Sequence, residues 1–180
     1  MTLTRLLSQR KSVILEQWVT RVLETYPDET VRFLREEKDT FRNPVGSVLT
    51  RELEAILDGL ISSADIEKIL PPLEAILRVR AVQDFTPSEA VCFTAHLKHV
   101  IRGDLAERKL THELLDELLH LESRIDALSL AAFDIYMACR ERIAEIRIGE
   151  VKAERERLAR VVQAMSQGQG SRVKGQEGKS

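Results

Sequence analysis

The sequence predicts an all-α protein, a compact domain of about six or seven helices with a long C-terminal helix. Three observations carry this. Apolar side chains recur at three- and four-residue intervals along most of the 180 residues, no segment alternates with period two for long enough to make a strand, and prolines stand where helices open.

The first helix carries Leu3, Leu6, Leu7, Ile14, Trp18 and Val22 on one side. Pro27 ends it, because the residue before a proline is pushed out of the αR region. A short helix, Glu29 to Glu36, follows, and Glu37 to Asn43 reads as a polar loop. Asn43 then caps and Pro44 opens a strongly amphipathic helix with the stripe Val45, Val48, Leu49, Leu53, Ile56, Leu57 and Leu60. Ser62-Ser63 interrupts the pattern. Pro71-Pro72 is expected to open the next helix, which runs through Leu73, Ile76, Leu77 and Ala81 to a corner at Asp84-Phe85.

Thr86, Pro87 and Glu89 have the spacing of a capping box, in which the threonine hydroxyl and the glutamate carboxylate satisfy each other's backbone donors. The helix that starts there should run to about Arg102 and end near Gly103. Thr111 can cap a much longer helix with Leu114, Leu118, Leu121, Ile125, Leu128, Ala132, Ile135, Cys139 and Ile146 at mostly three-four spacing. From Ile148 a second series, Val151, Leu158, Val162 and Met165, sits among charged residues like a short coiled-coil stem, with Arg155 interrupting its seam. These five apolar residues are the candidate partner or dimer contacts. Gln167 to Ser180 holds four glycines and almost no apolar side chain, so it is expected to stay disordered. The implied division is a helical domain at 1–147, a stem at 148–166 and a tail at 167–180.

A net charge of -2 with interleaved signs supplies no general attraction to nucleic acid, so protein partners or a small apolar ligand are expected instead. Cys92 and Cys139 are too few for a disulfide framework. With charges among the first apolar residues and no run of about 18 apolar residues, neither a signal peptide nor a membrane span is expected, and the cytoplasm is the expected location.

Candidate chemistry is sparse. Cys92, His96 and His99 are spaced i, i+4, i+7, so one helix face could offer a thiolate and two imidazoles to a metal, and His96 or His99 could serve as an axial haem ligand. One straight helix usually needs a second segment to complete such a site, and no second ligand cluster is evident; the plainer role is a small half-buried cysteine beside two partly exposed histidines. Glu117 and His120 have Glu-x-x-His spacing, but a di-iron bundle requires a second such motif. There is no Gly-rich phosphate loop and no Gly-x-Ser-x-Gly elbow, so catalysis has no visible carrier and no enzymatic activity or cofactor is expected. Arg80 and Asp84 form an i, i+4 pair expected to tie a helix end to the corner, with a ligand or partner contact as its alternative role. Trp18 and Phe93 are expected in the core.

The wording Ile76-Leu-Arg-Val-Arg-Ala-Val-Gln-Asp-Phe-Thr-Pro-Ser-Glu-Ala-Val91, with Gln17-Trp18-Val19 and Asn43-Pro-Val-Gly46 upstream, resembles the RsbRD N-terminal domain family, found at the front of stressosome-type co-antagonists. The resemblance covers roughly Leu6 to Leu105. It implies a globin-like domain without haem. In multidomain relatives a helical stem and a phosphorylatable STAS domain follow; here the stem leads into the Gly-rich tail, so STAS functions do not carry over. The expected role is a non-enzymatic sensory or regulatory module, homodimeric, acting on a regulatory protein partner. The alternatives are a haem- or metal-binding redox sensor and an adaptor subunit of a larger redox or signalling assembly.

Overall fold

The computed structural model describes residues 2–36, 42–83 and 85–174, and among them six α-helices and no strand. They are α1 (Leu3–Leu23), α2 (Asp28–Glu36), α3 (Pro44–Ile61), α4 (Ile66–Val82), α5 (Pro87–Leu105) and α6 (His112–Lys174). The chain forms two units, Met1–Arg140 and Glu141–Ser180. The all-α expectation and the long C-terminal helix both hold.

The core of the first unit is apolar and closely packed. Trp18 and Phe93 are fully buried, as expected, with stacked rings 6.3 Å apart, and the Trp18 indole N–H donates to the Phe93 carbonyl at 2.7 Å. Its polar edge is thereby satisfied inside the core. Around them lie Ile14 and Val22 of α1, Leu49, Leu53, Ile56 and Leu57 of α3, Leu73, Ile76 and Leu77 of α4, and Ile125 of α6.

Helix ends are satisfied by local caps and by charges from distant helices. The Asn43 carboxamide oxygen accepts the Gly46 N–H at 2.8 Å, while its NH2 group donates to the Leu34 carbonyl of α2 at 2.9 Å. A Cβ on Gly46 would stand 2.5 Å from that amide nitrogen, so the Asn43-Pro-Val-Gly46 wording has a steric cause. At Thr86 the capping box is complete, with Glu89 accepting the Thr86 N–H at 2.9 Å. The Glu117 carboxylate of α6 accepts the Leu3 N–H at the start of α1, 2.6 Å away. Arg124 of α6 donates to the Leu60 carbonyl in the last turn of α3 and to the Ala64 carbonyl just beyond it, at 3.0 and 2.6 Å. Anion at an N-terminus and cation at a C-terminus are the favourable pairings with the helix dipole.

Three sequence expectations are corrected. Pro71-Pro72 does not open α4: the helix begins at Ile66 and both prolines lie inside it. Each proline removes a backbone donor, but Glu67 and Lys68, whose carbonyls lose those partners, are on the solvent side. The first turn is held from the other side, where buried Ile69 packs on Gly59 so closely that a Cβ there would meet it at 2.7 Å. Gly103 does not end α5, which runs on to Leu105, itself buried. Finally, Val45 and Val48 are only half-buried, and Gly46 and Ile61 complete the buried face of α3 instead.

In the second unit the helix continues from Glu141 through the expected stem and on through Gln167 to Lys174, where the sequence led us to expect no order. Extending an existing helix is far easier than nucleating one. The end of the Gly-rich segment, 175–180, lies outside the described residues, as does most of the expected loop, 37–41.

The two helical glycines Gly59 and Gly103 separate backbone from packing effects. Nothing lies within 4 Å of a Cβ on Gly103. Gly103→Ala is expected to stabilise the protein by about 0.5–1 kcal/mol. Gly59→Ala meets Ile69 and is expected to lose about 1–2 kcal/mol net, because overpacking outweighs the helix-propensity gain. Urea denaturation of the two variants checks the opposite signs.

Candidate functional site

Where α1, α4 and α5 meet, the structure buries a cation. Arg80 has no exposed surface, and no carboxylate pairs with it among the described residues. One terminal nitrogen donates to the Glu89 and Ala90 carbonyls at 2.9 and 3.3 Å, and the other to the Thr25 hydroxyl at 3.1 Å and the Val22 carbonyl at 3.5 Å. Three rings surround the guanidinium, Tyr26 at 5.5 Å, Phe85 at 4.9 Å and Phe93 at 5.4 Å. Carbonyl dipoles and aromatic faces thus replace the water that a guanidinium loses on burial. The expected Arg80–Asp84 pair involves a residue, Asp84, that lies outside the described residues.

Two further α6 side chains tie down the corner. The Tyr136 hydroxyl donates to the Phe85 carbonyl, and Arg140 donates to the Ala81 carbonyl at 2.9 Å. Beside the cluster is a cavity of about 400 Å³ lined by Thr25, Tyr26, Pro27, Thr30, Gln83, Phe85 and Glu89. Both the Tyr26 hydroxyl and Arg80 Nε are buried without a hydrogen-bond partner. Burial pushes the Tyr26 phenol above its ordinary range, with the nearby Arg80 charge opposing.

The candidate ligands Cys92, His96 and His99 each have other surroundings. The Cys92 thiol donates to the Glu89 carbonyl at 3.1 Å, His99 Nδ1 lies 2.9 Å from the Ala95 carbonyl, and His96 Nδ1 is buried and unpartnered. Among the described residues no group of three or more ligand-type side chains could hold a metal ion. None of the four cavities we describe is lined by His96 or His99. Glu117 and His120, with the Glu-x-x-His spacing, line a cavity of about 340 Å³ with Leu3, Leu7 and Leu60, but the Glu117 carboxylate is engaged by the start of α1.

A second feature is a surface of α6 in the first unit. Leu114, Leu118, Leu121, Ile125, Leu128, Ala132 and Tyr136 are buried, which consumes one side of the helix. Leu115, Leu119, Leu130, Phe133 and Met137 are exposed, Leu130 to 72%. At 100° per residue these five fall within about 60° of one another. The polar neighbours of that face are paired: Arg102 forks onto Glu122 at 2.5 and 2.6 Å, and Lys98 meets Asp126 at 2.9 Å. Arg102 holds the Glu122 carboxyl below the usual carboxylate range. In the second unit the five candidate contacts Ile148, Val151, Leu158, Val162 and Met165 are all exposed, between 55% and 69%.

Comparison with known proteins decides the family. The model of the RsbT co-antagonist protein rsbRD N-terminal domain matches residues 12–151. The chain belongs to this family. RsbRD N-terminal domains are regulatory domains of the stressosome type. The chain is also similar to an uncharacterized protein of Archaeoglobus fulgidus, 27% identical over 158 residues that cover 85% of this chain and 91% of that one. No solved structure matches. No described helix is long and apolar enough to cross a membrane.

For an RsbRD-type domain, the residues that sequence reasoning missed are informative. Tyr26 lay in an apparent turn, and the reach of Arg80 to carbonyls of α5 and α1 carried no local signal. The outer leucines of α6 did leave a signal, since they are surplus to the single stripe a helix needs for its core.

Two outcomes test the cluster. Arg80→Met removes the buried donor that joins α4 to the carbonyls of α5 and α1 and is expected to cost about 3–4 kcal/mol in urea denaturation, whereas Tyr26→Phe removes an unsatisfied hydroxyl and is expected to be neutral or slightly stabilising. Burial and the charges of Arg21, Arg80 and His99 hold the His96 imidazole below its ordinary 6.5, with Glu24 opposing. The unfolded chain therefore takes up a proton more readily. Stability contributed by His96 is complete above pH 6.5 and falls as pH drops from there towards the folded value. His96→Gln should flatten that part of the stability–pH curve, measured against wild type.

Proposed function

We propose that this chain is a non-enzymatic sensory or regulatory module that works by association, pairing with a second copy through the outer face of α6. The single observation behind this reading is the exposed apolar set Leu115, Leu119, Leu130, Phe133 and Met137, on a helix whose opposite side is already committed to the core. The set forms two patches, Leu115 with Leu119 and Leu130 with Phe133 and Met137, separated by the ion-paired Glu122 and Asp126, and soluble monomers seldom leave this many large apolar side chains uncovered on one helix face. From Leu115 to Met137 the face that carries both patches extends about 33 Å at 1.5 Å per residue, long enough for a helix–helix interface.

A second copy is the occupant that the geometry favours, because a two-fold interface needs only one self-complementary patch. The stem residues Ile148, Val151, Leu158, Val162 and Met165 extend the same logic in the second unit, where three-four spacing among charged residues suits a short coiled coil. Arg155 in the seam weakens the pairing and suits an association that a signal can loosen. A regulatory protein partner would then read the dimer, consistent with the family to which the chain belongs.

Light scattering at about 100 µM should report a dimer, a concentration at which even micromolar affinity gives near-complete pairing. Leu130→Glu with Phe133→Glu should give a monomer whose helical circular dichroism is unchanged. A wild-type monomer, or a double variant that remains dimeric, would contradict the reading.

A further inference from the structure

We propose that the hollow between the end of α5 and the start of α6 binds the acyl chain of a free carboxylate, with Arg108 holding the carboxylate, and that occupancy opposes pairing with a second copy. The second half rests on the dimer reading; the first stands without it.

Three observations converge on this place. The cavity is about 350 Å³, within the roughly 300–1,000 Å³ range of small-molecule sites. Its walls are largely apolar: Leu105 is the last residue of α5, Leu110 comes from the connector, and Leu115, Leu118 and Leu119 come from the start of α6. Leu105 and Leu118 are buried, whereas Leu115 and Leu119 remain 43% and 54% exposed, so the hollow offers apolar surface that the fold does not cover.

The third observation is charge. Two arginines and one carboxylate line the hollow, which leaves one positive charge in excess. Arg102 and Glu122 answer each other, because the guanidinium forks onto both carboxylate oxygens at 2.5 and 2.6 Å. Arg108 is different. It is exposed, and among the described residues no carboxylate or carbonyl engages its side chain. A guanidinium with its fork free beside leucine side chains suits a planar carboxylate on a hydrocarbon chain, since arginine can donate to both oxygens at once. The excess charge disfavours a cationic ligand, and a bare small anion would leave the leucines uncovered.

Leu115 and Leu119 belong both to this hollow and to the outer face of α6. A hydrocarbon chain lying on them takes the smaller of the two apolar patches away from the second copy. By linkage, the ligand then weakens pairing by the same factor that pairing weakens the ligand.

Octanoate titrated into the full chain, followed by calorimetry and methyl NMR, tests both halves, with octanol and acetate as comparison probes. Octanoate should bind saturably and shift the methyl groups of Leu105, Leu110, Leu115, Leu118 and Leu119. Arg108→Gln, a change at an exposed side chain, should weaken octanoate about tenfold, the worth of one charge-assisted hydrogen bond, and leave octanol unaffected. Acetate should not saturate. On the chain carrying Leu130→Glu and Phe133→Glu, where no second copy competes, octanoate should bind more tightly than on wild type, and in light scattering saturating octanoate should release monomers from the wild-type dimer. Binding is overturned by no saturation at about 10 mM octanoate, by equal affinity for octanol, by Arg108→Gln binding as wild type does, or by adsorption to phosphatidylglycerol vesicles without saturable octanoate. The coupling is overturned if octanoate saturates a wild-type dimer and leaves it intact. A wild-type chain that is monomeric yet binds octanoate overturns the dimer reading and the coupling with it, while the binding site stands.

Discussion

The buried guanidinium of Arg80 is the interaction on which the first unit depends. It lies on α4, donates to carbonyls of α5 and of the end of α1, and is packed between rings from the α1–α2 turn, the α4–α5 corner and α5. Few side chains can serve so many acceptors at once; the planar fork of arginine presents five donors in fixed directions, whereas lysine would bring a single point of contact. Desolvating such a cation is costly, so the arrangement is stable only while its carbonyls and rings stay in place. Helix positions and cation therefore enforce each other.

That constraint propagates to α6. The corner held by Arg80 presents the Phe85 and Ala81 carbonyls to Tyr136 and Arg140, which fixes the rotation of α6 about its axis. Glu117 at the start of α1 and Arg124 at the end of α3 repeat the fixation further along the helix. With Leu118, Ile125 and Ala132 thereby turned inward, Leu130 and Phe133 are left outward. The exposed strip is a consequence of how the core is locked, and this is why we assign it to association.

What could be read from the sequence follows the range of the forces involved. Caps are local: Asn43 with Pro44, and Thr86 with Pro87 and Glu89, announce themselves within four residues, and the structure has both. The all-α class and the core positions of Trp18 and Phe93 follow from periodicity. The start of α4 was not legible, because Pro71-Pro72 is overruled by packing between Ile69 and Gly59, residues that the turn between α3 and α4 separates. The further contacts of Arg80 were not legible for a related reason: its described acceptors are mostly backbone carbonyls, which every residue type carries and no pattern marks. The cavity beside it was equally hidden, since Tyr26 and Phe85 are far apart in the chain and meet edge to face only in the fold, at 5.1 Å. The family wording around Ile76 to Val91 was visible throughout, and its physical content is the Arg80 cluster together with the capping box.

The central claim, that the locked core leaves one face of α6 for a second copy, is tested most directly by isotope-filtered NMR on a mixture of methyl-labelled and unlabelled chains. A dimer paired through this face gives intermolecular contacts from the methyl groups of Leu115, Leu119, Leu130 and Met137, with none from inward residues such as Leu118 or Ile125. Absence of intermolecular contacts at dimer-forming concentrations, or contacts arising only from another surface, would contradict it.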